Sequence, residues 1–305
     1  MKRIKLGKSG LSVPNIAVGC MRLRNKTLAE AEAFLETALE LGLNYFDHAD
    51  IYGAGLSEEL FAQAFALNDD RREQIILQSK CGITKDGYNF SKSHILSSVE
   101  GSLQRLKTDY LDVLLLHRPD ALCEPEEVAE TFRQLKEQGK VRYFGVSNHN
   151  PGQIKLLQKY LDFPLVVNQM QLSLAHCPMI ESGINVNTAF DGGLDREGGV
   201  LDFCRLQDIT LQAWSPLQHG FIKGTFLNNP DYPELNDMLQ RVAEEYGTTK
   251  AAIAVAWIAR HPAHIQTVTG TTNPQHLMQC AEGAQIELTR KQWYDLYKSV
   301  GRKLP

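Results

Sequence analysis

Ile75-Ile76-Leu77-Gln78-Ser79-Lys80 is a short apolar run that ends on a cation, and the fold is decided by how often the chain repeats that design. Comparable runs cover Ile16–Gly19, Tyr45–Asp47, Leu111–Leu116, Tyr143–Val146, Leu165–Asn168, Thr210–Trp214 and Gln266–Thr269. Their length and their β-branched or aromatic content suit strands buried on both faces. Helical patterns lie between them. Thr27 and Glu30 form a candidate capping box ahead of Ala31 to Leu41, and Asn150-Pro151 and Asn273-Pro274 each set an N-cap before a proline. In Ser93 to Leu106, the residues Leu96, Val99, Leu103 and Leu106 recur at helical spacing.

Eight strands alternating with helices, without a composition break for a linker, predict one α/β domain over residues 1–305, a (β/α)8 TIM barrel. Arg3–Leu6 and Ser12–Pro14 read as a hairpin around Gly7 and Gly10 that closes the barrel's base, and Thr289 to Val300 reads as an additional C-terminal helix. The rival fold is a doubly wound open sheet. Its glycine fingerprint is matched only by Gly53-Ala54-Gly55-Leu56-Ser57-Glu58, which lacks the third glycine and begins too late after the strand.

Composition narrows the function classes. The chain has 43% hydrophobic and 22% charged residues and a net charge of −4, with no basic tract, which argues against a nucleic-acid partner. The longest apolar stretch, Ala251 to Ala259, is too short for a bilayer, and the start of the sequence shows no signal-peptide pattern. Cys20, Cys81, Cys123, Cys177, Cys204 and Cys280 form no CxxC pair, so reduced thiols in the cytoplasm are expected, with no structural metal.

Barrel enzymes assemble their sites at the C-terminal ends of the strands. There the sequence places Asp47, Lys80, His117, Ser147-Asn148, Gln169, Trp214-Ser215 and Gly270, and Tyr52 stands five residues after Asp47. Taken singly, such residues are usually turn formers or helix caps. Lys80 is the exception, because a lysine near the barrel axis needs a partner and Asp47 is the candidate. A free tyrosine titrates near ~10, and an ammonium beside Tyr52 is expected to pull that value down and make it a usable acid. His117 would orient a carbonyl or help Tyr52 move its proton.

With these motifs in place, the chain resembles the aldo-keto reductases over nearly its whole length. The resemblance rests on Phe46-Asp47-His48-Ala49-Asp50-Ile51-Tyr52-Gly53, Ser79-Lys80, Leu115-Leu116-His117-Arg118-Pro119, Gly145-Val146-Ser147-Asn148, Asn168-Gln169 and Trp214-Ser215-Pro216-Leu217. It implies a catalytic tetrad of Asp47, Tyr52, Lys80 and His117, with Tyr52 the acid, and NADP, or alternatively NAD, bound without a dinucleotide fold. By the same resemblance Ser147, Asn148 and Gln169 hold the carboxamide and Trp214 stacks on the nicotinamide. Ser215, Leu217 and Lys223 belong to a loop over the pyrophosphate, and Gly270, Thr271, Thr272 and His276 to the adenosine phosphate site. Gly270 and His276 stand where relatives often carry lysine and arginine, and Gln279 and Cys280 where glutamate and asparagine are usual.

The implied activity is reduction of aldehyde or ketone carbonyls, with a small-molecule substrate and a monomer or weak oligomer. Segments 82–92, 171–199 and 215–224 are expected to shape the mouth. Tyr88, Phe90, His149, Trp214 and Phe221 are candidates for an aromatic pocket, and Cys20 and Cys81 for buried inert thiols. Two rivals stand beside this reading. A metal-dependent hydrolase would use His48, Asp50 and His117 as ligands, and a redox-sensing protein would hold the nicotinamide with little turnover.

Overall fold

The apolar runs are strands, and they close on themselves. The computed structural model describes residues 1–305, apart from the side chain of Asp69. Strands β1 (Arg3–Lys5) and β2 (Ser12–Pro14) precede β3 (Ile16–Gly19), β4 (Tyr45–Asp47) and β5 (Ile76–Cys81). A small hairpin, β6 (Ile83–Thr84) and β7 (Gly87–Tyr88), follows. Then come β8 (Leu111–Leu116), β9 (Val141–Ser147), β10 (Leu165–Gln171), β11 (Thr210–Trp214) and β12 (Gln266–Thr269). Strands β3, β4, β5, β8, β9, β10, β11 and β12 form a closed parallel barrel, with β12 paired to β3. Helices connect successive strands on the outside.

The expected base closure is present. Strands β1 and β2 pair antiparallel, and Leu6 and Val13 are fully buried against Val166, Val167 and Val268. The turn needs glycine at Gly7: its φ is +49°, its amide donates to Thr210 Oγ1 at 2.7 Å, and a Cβ there would fall 2.6 Å from the Val166 carbonyl oxygen. The helix Leu28–Glu40 opens at the Thr27–Glu30 capping box, three residues before the apolar pattern does, since the cap sets the first turn. Asn150 and Gln153 form a second box, and Thr289 and Gln292 a third. The C-terminal helix Arg290–Lys298 lays Trp293 flat on Trp257, with ring centroids 4.9 Å apart.

Two segments expected as plain connections contain elements. Segment 82–92 carries the β6–β7 hairpin, and segment 171–199 carries the helix Pro178–Ile184. No described helix is long and apolar enough to cross a membrane.

Candidate active site

Asp47 closes β4, and Lys80 lies one residue inside the end of β5 rather than after it. The ammonium is fully buried and finds its counter-charge at once: Nζ donates to Asp47 Oδ1 and Oδ2 at 2.7 and 2.8 Å. It also donates to the His48 carbonyl at 2.8 Å and to Tyr52 Oη at 3.1 Å. Tyr52 reaches this point because the chain turns sharply behind it, with Gly53 at φ +65° and Gly55 at φ +95°. A Cβ at either glycine would strike the Arg24 or Arg105 side chain at 2.5 Å.

Tyr52 accepts from Lys80, so its own proton is not spent on that bond, and the phenol donates to no acceptor among the described residues. His117 presents its ring edge-on to Tyr52, with centroids 5.9 Å apart and planes at 82°. Its Nδ1 is buried without a partner. Burial, with Lys80 and Arg118 adding to it, holds this imidazole well below its ordinary pKa, so it is neutral.

The expected sign of the Tyr52 shift is corrected. Burial raises its pKa above the ordinary tyrosine value and outweighs the lowering by Lys80, and the Asp47 carboxylate raises it further. At Lys80 the balance runs the other way. Burial pulls the ammonium down, but the attraction of Asp47 and Tyr52 leaves its pKa above the ordinary lysine value.

Beneath the pair lies a layer of amides that the sequence reading did not anticipate. Barrel register sets Asp47 beside Gln78, Gln169 beside Gln212, and Gln212 beside Gln266. Gln78 and Gln169 donate to Asp47 Oδ1 at 2.6 and 3.1 Å, and both also donate to Gln212 Oε1. Gln212 passes the chain on to Gln266 at 2.8 Å, and Gln266 donates to the Pro14 carbonyl at the base. Both side-chain N–H groups of Gln169 are thereby used, and its side-chain oxygen Oε1 remains for a ligand, while its backbone carbonyl accepts from Ser147 Oγ and the Asn148 amide. The readable signal was polarity at inward-facing strand positions, because a buried amide there must find at least one hydrogen-bond partner.

Tyr52 and His117 open into a cavity of about 530 Å³. Ser147, Asn148, Gln169, Trp214, Ser215, Leu217, Gly270, Thr271 and His276 all line it, while Lys223 and Thr272 stand outside its wall. The Trp214 ring is fixed by a bond from Nε1 to Asn148 Oδ1 at 3.1 Å, and Asn148 donates in turn to the His117 carbonyl and Ser147 Oγ. Asn273 caps the helix Pro274–Gly283 by accepting from the amides of Gln275 and His276, so those two donors are already engaged.

Arg22 and Arg118 also line the cavity and were not singled out by sequence; Arg22 donates to the Gly270 carbonyl at 2.8 Å. Trp214 and Phe221 face the cavity as expected. Phe90 and His149 do not: they are buried against each other, and Tyr88 lies exposed on the small hairpin. Cys20 and Cys81 are buried, and burial raises both thiols well above the ordinary value. The metal-ligand set does not assemble. Among the described residues no three His, Cys, Asp or Glu side chains cluster for a metal, and His48 sits edge-on to Phe61 with a pKa pushed down to about 3 by burial.

Comparison with known proteins identifies the family and the fold. The model of the Aldo/keto reductase family matches residues 15–300. The chain is 37% identical to the uncharacterized oxidoreductase YcsN of Bacillus subtilis, with 98% of each chain covered. It is 31% identical to a 6-dehydroglucose reductase of Agrobacterium fabrum over the whole of both. The crystal structure of the thermostable aldo-keto reductase Tm1743 with the inhibitor epalrestat superposes with a TM-score of 0.80 at 25% identity, covering 98% of this chain and all of that one. An eight-stranded closed barrel, a lysine and a carboxylate buried beneath a phenol, and a match over almost every residue lead to one assignment: the chain belongs to the aldo/keto reductase family of oxidoreductases, which act on small carbonyl compounds with a nicotinamide cofactor.

Proposed function

We propose that this chain reduces aldehyde or ketone carbonyls to alcohols, with Tyr52 as the general acid and NADP the favoured cofactor over NAD. The observation that carries the reading is the bond from Lys80 Nζ to Tyr52 Oη, which leaves the phenol proton undirected beside the neutral His117.

The residues lining the cavity fit a nicotinamide dinucleotide. Trp214 offers a ring face held in place by Asn148, the Gln169 side-chain oxygen Oε1 is free to accept from a carboxamide, and Gly270, Thr271 and His276 line the same cavity. A bound reduced nicotinamide supplies the hydride. The protein's part is the proton. A phenol whose pKa is raised by burial stays protonated at neutral pH, so the acid form is the resting one. His117, neutral and next to Tyr52, donates a hydrogen bond to the substrate oxygen and sets its direction. As charge gathers on that oxygen, Tyr52 gives up its proton, and the phenolate left behind is stabilised by Lys80 at 3.1 Å. Asp47 keeps Lys80 charged and in place, and the Gln78 and Gln169 amides fix Asp47.

The cofactor is the finer part of the proposal. The wall near the helix at Pro274 carries His276, Thr271 and Arg22. Nicotinamide absorbance followed with 4-nitrobenzaldehyde and either NADPH or NADH tests both parts. Oxidation that depends on the aldehyde, faster with NADPH at equal concentration, is expected. No oxidation with either cofactor at saturating aldehyde would remove the reductase reading, and a faster rate with NADH would remove the NADP preference.

A further inference from the structure

Arg118 is a cation facing the cavity without an anion to meet it. It follows His117 directly and is half-buried. Its guanidinium carbon stands 5.7 Å from the Trp214 ring centroid and 5.4 Å from that of Phe221. It makes no ion pair among the described residues. Of the described residues that line the cavity, the only acid is Asp47, and that carboxylate is already neutralised by Lys80. The other cavity arginine, Arg22, is committed to the Gly270 carbonyl beside the proposed adenosine end of the wall. Burial lowers the Arg118 pKa from its ordinary value, the sign of a cation held partly out of water.

From this placement, and resting on the carbonyl-reductase reading above, we infer that Arg118 forms an anion subsite that selects aldehydes or ketones bearing a carboxylate on a mostly apolar body. A guanidinium offers a planar fork that matches a carboxylate through two parallel N–H bonds, and the flanking rings restrict the plane in which that fork lies. A phosphate group carries about −1.5 to −2 at neutral pH and calls for more than one cation, whereas Arg118 stands alone on its part of the wall. The apolar body is set by Met21, Ile51, Ile83 and Ile222, which line the same cavity.

The test compares 4-carboxybenzaldehyde with its methyl ester, which keeps the aldehyde and the ring but removes the charge. Steady-state kinetics with NADPH are measured for the wild type, Arg118→Met and Arg118→Lys. The wild type is expected to prefer the carboxylate. Arg118→Met is expected to lower the carboxylate-to-ester ratio of kcat/KM by about tenfold to a hundredfold, mostly through KM, as loss of a charge-assisted pair implies. Arg118→Lys, which keeps the charge and loses the fork, should fall between. An unchanged ratio in Arg118→Met overturns the inference, as does a rise in the NADPH KM with the ratio fixed, which would make Arg118 a cofactor ligand or a prop between two rings. If the wild type oxidises neither NADPH nor NADH with either aldehyde, the reductase reading fails first and the subsite falls with it.

Discussion

Lys80 and Arg72 are both buried cations, one inside strand β5 and the other in the short helix Asp69–Glu73 just before it. Arg72 lies before β5 and pairs with Asp112 at the start of β8, Nη2 to Oδ2 at 2.7 Å. Every donor there serves the chain itself. Arg72 also reaches Thr108 Oγ1 and the carbonyls of Ile75 and Tyr110, and it lies 3.7 Å from the Tyr110 ring centroid. Asp112 accepts further from the Leu77 amide and from Arg142. Lys80 differs in what it leaves over. After Asp47 and the His48 carbonyl, its remaining contact is a phenol at the cavity wall. A five-donor fork closes a loop, and a three-donor ammonium beside a phenol prepares a proton transfer. The charge pair is alike in kind at the two places; the role is decided by the group that the pair faces.

Removing each cation in turn separates the two roles. Lys80→Met is expected to lower kcat by about 10²–10⁴-fold, the usual range for loss of acid–base function, and to destabilise the fold by leaving Asp47 buried without its counter-charge. Arg72→Met is expected to cost a comparable stability, about 3–5 kcal/mol, while kcat/KM at a temperature below unfolding stays close to wild type. Denaturant melts and steady-state kinetics on both variants check this. Equal losses of turnover would break the comparison.

A smaller effect sharpens it. Asp50 is a partly buried carboxyl, and unlike the buried Asp47, Glu58 and Asp112 it has no cation bonded to it: its Oδ1 has no partner. Burial pushes its pKa up to about 6, well above the ordinary carboxyl value. An acid raised in the folded state favours folding fully below its unfolded pKa, and that advantage is lost as pH rises through the folded value. The contribution of Asp50 to stability should therefore decline from about pH 4 to about pH 6, and the difference between wild type and Asp50→Asn isolates it from the other titrating groups. Asp50→Asn is expected to gain on the order of 2–3 kcal/mol near pH 8 and nothing near pH 3. Unfolding free energies across that range, with no such divergence, would show that Asp50 is partnered in solution.

The barrel, its base hairpin and the Asp47–Lys80 pairing were legible in sequence, because runs such as Ile75–Lys80 and Leu111–His117 announce both a strand and the polar residue at its end. The capping boxes at Thr27 and Asn150 were legible for the same local reason. What depends on neighbours across the barrel was not. The sign at Tyr52 was misjudged because sequence shows that a lysine is near but not how completely the phenol is buried. The amide layer through Gln78, Gln169, Gln212 and Gln266 exists only once register aligns four strands. Phe90 and His149 were expected at the pocket and instead pack on each other, since an aromatic in a loop does not reveal which side it faces.

The central claim is that Tyr52 supplies the proton, and single-turnover hydride transfer in Tyr52→Phe tests it most directly. The ring and its contacts with His117 are kept, and only the hydroxyl is lost. Cofactor is bound first and the aldehyde is added in rapid mixing, so binding does not limit the reading. The account predicts that the transfer rate falls by about 10²–10⁴-fold while cofactor affinity holds. A transfer rate equal to wild type would contradict it and would move the acid to His117 or to water.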